Sequence, residues 1–142
     1  MAARTHDFRE LRKLTEGRSA EEVEAAAVEA CGGVDEVLDA VFTAYRDAFD
    51  PQRAGDAQGE FQFDVTTSAG TRQYTVAVGE GRCEARRGPG APATAVTTVG
   101  LGNLLLMAAG EVTGFRLYGK KLLTTEGDLT AAIGFKDWFV FG

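Results

Sequence analysis

Apolar positions along the chain recur at helical spacing, then alternate, then return to helical spacing. Phe8, Leu11 and Leu14 mark a short amphipathic helix ending at Gly17. Ser19 and Glu22 then form a capping-box pattern, in which each side chain satisfies the other's backbone N–H. Val23, Ala26, Ala27 and Ala30 follow at the i, i+3, i+4, i+7 spacing of one helix face. That face is small, which suits close packing against a neighbour, and Gly32-Gly33 supplies the stop. Val34, Val37, Leu38, Val41, Phe42, Tyr45 and Phe49 repeat the helical period until Pro51 closes the segment. The opposite face carries Asp35, Glu36, Asp39 and Asp47, and reads as a solvated stripe.

Residues 52–60 form a polar, Gly-containing connection, after which the period changes to two. Phe61, Phe63 and Val65 alternate with Gln62 and Asp64, predicting a strand with one buried face. Ser68-Ala69-Gly70 turns into a second strand with Tyr74, Val76 and Val78, and Gly79-Glu80-Gly81 turns into a third, Arg82–Arg86. The wider loop Gly88-Pro89-Gly90-Ala91-Pro92 leads to a fourth, the Thr/Val-rich stretch Thr94–Val99. Short turns between consecutive strands predict an antiparallel meander. Helices are expected over Leu101–Ala109, with Gly110 after it, and over Val112–Tyr118, with Gly119 after it. Lys121–Glu126 reads as extended, Gly127-Asp128 as a break, and Leu129–Phe139 as a final helix. Strands grouped together with helices to one side indicate an α+β fold.

Composition narrows the function classes. The chain has 142 residues, 44% of them hydrophobic and 25% charged, which suits one globular domain. Its longest apolar run, Leu104–Ala109, is far short of the ~20 residues of a membrane span. The first residues lack the apolar core of a signal peptide, so a cytoplasmic protein with reduced Cys31 and Cys83 is expected. Net charge is −6; residues 1–60 carry 7 Lys/Arg against 14 Asp/Glu, and residues 61–142 carry 8 against 7. An acidic chain with no Lys/Arg cluster argues against nucleic acid and against electrostatic binding to anionic membranes. His6 is the one histidine, and no cysteine pair has metal or redox spacing, so neither a metal site nor a histidine triad is expected. The glycine clusters lack the Lys and spacing of phosphate loops. No catalytic residue and no cofactor are indicated.

The excess is apolar. Leu104-Leu105-Leu106-Met107-Ala108-Ala109 is hydrophobic around the whole helix circumference, whereas a surface helix needs one apolar stripe. Phe115, Leu117, Tyr118, Phe135, Trp138, Phe139, Val140 and Phe141 follow. An ordinary core, a subunit interface or the wall of an apolar ligand cavity would each cover them, and composition alone favours the core.

Three stretches taken together resemble the sterol carrier protein type 2 (sterol-binding domain) family. They are Ala95-Val96-Thr97-Thr98 leading into Leu104–Gly110-Glu111-Val112; Phe115–Leu122 followed by Thr124-Thr125-Glu126-Gly127-Asp128-Leu129; and the final helix ending in Trp138-Phe139. The resemblance runs from about Gly59 to Phe139. It implies a five-stranded, mostly antiparallel sheet covered on one face by helices, with a hydrophobic tunnel between them. It also implies non-catalytic binding of a sterol, fatty acid, acyl-CoA or similar ligand. Residues 34–142 would form that domain and residues 1–33 a helical extension. The terminal sequence Phe139-Val140-Phe141-Gly142 is not a peroxisomal address, which suits a cytoplasmic bacterial protein.

The expected lining comes from four stretches. The early helix and the second strand give Phe42 and Val76. The Leu-rich helix gives Leu104, Leu105, Met107 and Ala108. The segment after it gives Phe115, Leu117 and Tyr118. The last helix, the expected gate, gives Ile133, Phe135, Trp138 and Phe139. Tyr118 and Trp138 have polar ends suited to a mouth or a ligand head group. The expected partners are a hydrophobic small molecule and, at most, a transient membrane contact. Two alternatives stay open: a protein acting on a lipid or polyketide, alone or with a partner enzyme, and a homodimeric interaction module.

Overall fold

The computed structural model describes Lys13, residues 15–90 and residues 92–139. His6 and the first expected helix points, Phe8, Leu11 and Leu14, lie outside the described residues, as do Val140 and Phe141. Helix α1 spans Ala20–Cys31 and opens with the expected capping box: Glu22 N–H donates to Ser19 Oγ at 3.3 Å, and Ser19 N–H to Glu22 Oε1 at 2.9 Å. It ends at Gly32, whose φ of 91° is left-handed. Helix α2 spans Val34–Ala48 and buries Val34, Val37, Leu38, Val41, Phe42, Ala44 and Tyr45 along one stripe. Pro51 does more than stop it. With Asp50 as cap and Pro at the first position, Pro51–Ala54 forms a one-turn helix α3 where a plain connection is expected.

Five strands follow the expected positions: β1 Gly59–Thr67, β2 Gly70–Gly79, β3 Arg82–Arg87, β4 Ala95–Gly100 and β5 Leu123–Gly127. Their order in the sheet is β3-β2-β1-β4-β5. The first three form antiparallel hairpins, and Glu80 and Gly81, both at positive φ, make the tight turn between β2 and β3. The meander stops there. β4 pairs with β1, in parallel, and β5 pairs antiparallel with β4. The sheet is therefore mixed, with one parallel pair among antiparallel ones.

Hydrogen bonds account for this crossover. Gly88 N–H donates to Gln73 O at 2.8 Å, Thr75 Oγ1 donates to Gly88 O at 2.7 Å, and Gly90 N–H donates to Gln62 Oε1 at 3.1 Å. Thr94 N–H then reaches Glu60 O at 2.7 Å. The connection is thus anchored across β2 and β1. Gln62 and Thr75 are register partners, on the opposite face from Phe61, Phe63, Tyr74 and Val76. Both are buried, and the connection satisfies them.

The apolar face of the sheet is covered by α2, by α4 (Leu101–Ala108) and by α6 (Leu129–Phe135), with α5 (Gly114–Gly119) beside β5. The all-round apolar character of α4 has a direct explanation. Leu101, Leu104, Leu105 and Ala108 are buried, and α1 packs along α4 with Val23 and Ala27 inside the same core. The approach is so close that a Cβ on Gly102 would overlap the Ala20 carbonyl. The last expected helix is shorter than its pattern. α6 ends at Phe135, a 3₁₀ turn runs from Lys136 to Trp138, and Phe139 forms an antiparallel bridge with Phe49. No helix among the described residues is long and apolar enough to cross a membrane.

Candidate functional site: the layer between sheet and helices

The layer between the sheet and its helices is built largely of rings. Phe42 of α2 stacks on Tyr74 of β2 at 4.6 Å and 7° and meets Phe63 of β1 at 5.4 Å. Phe135 of α6 lies 4.8 Å from Phe61, 5.8 Å from Phe63 and 4.7 Å from Phe139. Trp138 meets Phe61 edge-on at 5.5 Å, and Phe139 meets Tyr45 edge-on at 5.5 Å. These separations fall within the ~4.5–7 Å range of favourable aromatic pairs. Rings contributed by α2, β1, β2 and the C-terminal segment thus occupy the place where an apolar tunnel is expected.

Of the expected lining residues, Phe42, Val76, Leu104, Leu105, Ala108, Leu117, Phe135 and Phe139 are buried in one cluster. Met107 and Trp138 are partly buried against it. Phe115, Tyr118 and Ile133 lie on the surface instead, each more than half exposed. The reason is local. α5 is a single short helix that turns Leu117 inward, which leaves Phe115 and Tyr118 outward. On α6, Phe135 takes the inner position and Ile133 the outer one. Phe61, Phe63, Tyr74 and Tyr45 also belong to the layer, beyond the thirteen residues expected from the sequence. The signal was available for the strands: period-two alternation in paired strands puts Phe61 opposite Val76 and Phe63 opposite Tyr74 on one face.

The acidic stripe on α2 is not wholly solvated. Asp39 accepts from Arg87 Nε at 3.1 Å and Arg87 Nη2 at 2.6 Å, and also from the Tyr74 hydroxyl. Burial alone would raise the Asp39 carboxyl, but the bonds from Arg87 and Tyr74 outweigh it and hold the group below its ordinary range. Burial, then the bond to Asp39, pushes the Tyr74 phenol up. Asp35 pairs with Arg72 at 3.0 Å. Two of the four acids therefore tie α2 to the sheet. Burial also pushes the Tyr45 phenol up to about 12 and the Cys83 thiol up to about 11.

Two hollows among the described residues are open to solvent, and neither is lined by a ring of the layer. One, of about 740 Å³, sits at the β1–β2–β3 end beside Glu60, Arg82, Cys83 and Glu84. The other, of about 250 Å³, sits between α1 and the start of α4 beside Glu24, Thr67 and Asn103. Both are rimmed by charged and polar side chains, in contrast to the ring layer. Among the described residues no group of three or more His, Cys, Asp or Glu is placed to hold a metal ion.

No family model and no curated protein matches the chain. Solved structures do. Sterol carrier protein 2-like 2 from Aedes aegypti is similar over 70% of this chain and 90% of its own, at 23% identity and a TM-score of 0.59. Palmitated SCP2L2 from Aedes aegypti, solved in solution, gives 24% identity and a TM-score of 0.55 over 66% of this chain and 84% of that one. The stereoselective inverting sec-alkylsulfatase Pisa1 from Pseudomonas sp. gives 14% identity and a TM-score of 0.64 over 85% of this chain, but the match occupies 21% of the enzyme. The fold of the chain is thus that of the sterol carrier protein 2 structures.

Proposed function

We propose that the protein binds a hydrophobic ligand such as a sterol, fatty acid or acyl-CoA between sheet and helices, and carries or presents it without transforming it. The observation that carries this reading is the make-up of the segment closing the ring layer. α6 turns the small Ala131 and Ala132 toward the core while Leu129 and Ile133 stand half in water. Of its three large apolar side chains α6 buries Phe135 and leaves the other two on its solvent side, so it is anchored chiefly at its C-terminal end. The segment is tied to the body by the Phe49–Phe139 bridge, by Asp50 N–H donating to Trp138 O at 2.8 Å, and by ring contacts. Opening it exposes the buried rings of Phe135 and Phe139, at about 1.5–3 kcal/mol each, a cost that the incoming ligand offsets.

Moving α6 and its turn outward withdraws Phe135, Trp138 and Phe139. It leaves an apolar slot floored by Phe61, Phe63 and Val76 and walled by Phe42 and Leu105. A ligand tail of about ten carbons then contributes up to about 8 kcal/mol from burial, before ordering costs, and replaces the lost ring contacts. The fold match to a palmitated sterol carrier protein 2-like domain supports the same reading. The test is extraction of the purified protein and mass spectrometry of what is released, with titration of a fluorescent fatty acid. A co-purified lipid and saturable binding are expected. Absence of both would refute the proposal, and turnover of the lipid by the isolated chain would refute its non-catalytic part.

A second reading is favoured by the alkylsulfatase match, in which this fold forms a minor share of an enzyme's chain. On that reading the protein presents its ligand to a separate catalytic partner. A partner enzyme whose KM falls when the loaded protein is added would support it.

A further inference from the structure

We propose that the segment from Gly114 to Leu122 docks the protein on an anionic lipid bilayer, with Phe115, Tyr118 and Leu122 entering the interface and Arg116, Lys120 and Lys121 facing the lipid phosphates. This goes beyond carriage and does not depend on which ligand the interior holds. Five large apolar side chains are exposed among the described residues, and three of them fall here: Phe115 at 59%, Tyr118 at 57% and Leu122 at 49%. Leu117 is buried and pins the segment to the core.

The same stretch holds three cations and no acid in an otherwise acidic chain. Six other described cations have carboxylate partners, in pairs such as Arg72–Asp35, Arg86–Glu60 and Arg87–Asp39. Arg116, Lys120 and Lys121 have none among the described residues. The net charge of −6 therefore understates the local field, because screening limits each charge to about 8–10 Å at ordinary ionic strength.

The backbone supplies a separate observation. α5 closes with Leu122 N–H donating to Leu117 O at 2.8 Å and Lys121 N–H donating to Tyr118 O at 3.1 Å. That is a Schellman closure, in which the left-handed position is usually Gly and the next residue usually packs back on the helix. Here Lys121 holds the left-handed position, at φ 63°, and Leu122 stays half in water. Both choices run against local stability and both place interface-seeking groups outward. The three apolar side chains, at ~150–250 Å² for a whole aromatic, fall short of the ~800 Å² per partner of a stable protein interface. A bilayer has no such minimum, and aromatic and cationic side chains suit its surface.

Each cation near an anionic surface multiplies partitioning about fivefold, so the three together give about a hundredfold. The test is co-sedimentation with vesicles of two parts phosphatidylcholine to one part phosphatidylglycerol, against phosphatidylcholine alone. Binding is expected to the anionic vesicles and to weaken with salt. Lys121→Gly keeps the turn and should fold at least as stably, yet lose about fivefold in binding. Phe115→Ser with Tyr118→Ser should lower it further, whereas Arg82→Gln on β3 should leave it unchanged. Equal binding to both vesicle types, no binding, an unaffected Lys121→Gly, or an equal loss in Arg82→Gln would each overturn the proposal. Vesicle binding is read on the protein whatever it carries, so its failure is distinct from an absence of lipid in the mass spectrum.

Discussion

Cys83 and Asp39 show how burial and partners set the chemistry of single side chains. The Cys83 thiol is half-buried in β3 and pushed up to about 11, so it stays protonated and unreactive near neutrality. In a Cys31→Ser background, alkylation of Cys83 should be slow at pH 8 and accelerate only as pH approaches 11; fast labelling at pH 8 would refute this environment. The Asp39 carboxyl is held low, so its contribution to stability is present above the ordinary carboxylate range and lost as pH falls through it. The Tyr74 phenol is held high, so its contribution is lost as pH rises beyond about 10. Because Asp39 and Arg87 are both largely solvent-exposed, Asp39→Asn should cost no more than about 1 kcal/mol at pH 7. Urea midpoints should show that difference shrinking as pH falls below the ordinary carboxylate range, and a constant difference across pH would contradict the assignment. None of this was readable from the α2 pattern. Asp39 and Arg87 lie far apart in the chain and meet only because β3 pairs with β2 beneath α2.

The helices and strands were largely written in their periodicity, while their arrangement was not. Capping by Ser19 and Glu22, the inward stripe of α2 and the alternation of β1 and β2 depend on neighbours within a few residues. The parallel pairing of β1 with β4 depends on a crossover whose anchors, Gln62 and Thr75, look like ordinary outward polar positions in a strand. The small face of α1 carried more information than its weak amphipathicity suggested, because it predicted close approach to another helix. That approach rests on Gly102, where a methyl group would meet backbone that cannot rotate away. Gly102→Ala should therefore cost about 1–3 kcal/mol in chemical denaturation. It should also raise hydrogen exchange in α1 before it affects β1 and β2. An unchanged midpoint would mean that α1 is not held against α4 as described.

For the molecule as a whole, the resemblance in the sequence and the fold in space agree on a sheet roofed on one side by helices. What the sequence placed in a tunnel is divided in the structure. Eight of the thirteen expected lining residues share the buried cluster, while Phe115, Tyr118 and Ile133 face water. Periodicity tells which residues are apolar, but on α5 and α6 apolar positions occupy both faces, so it could not assign the inner one. The central claim is that the ring layer opens at the C-terminal segment to admit a ligand. Phe49 and Phe139 are bridge partners, at a backbone spacing that a disulfide can span. The direct measurement is fluorescent fatty-acid binding by Phe49→Cys with Phe139→Cys, in a background of Cys31→Ser with Cys83→Ser, before and after reduction. Locking the segment removes the binding-competent state, so the oxidised form should bind about tenfold more weakly or worse, with recovery on reduction. Equal affinity in the two forms would mean that the ligand does not enter past this segment, and the account would fail.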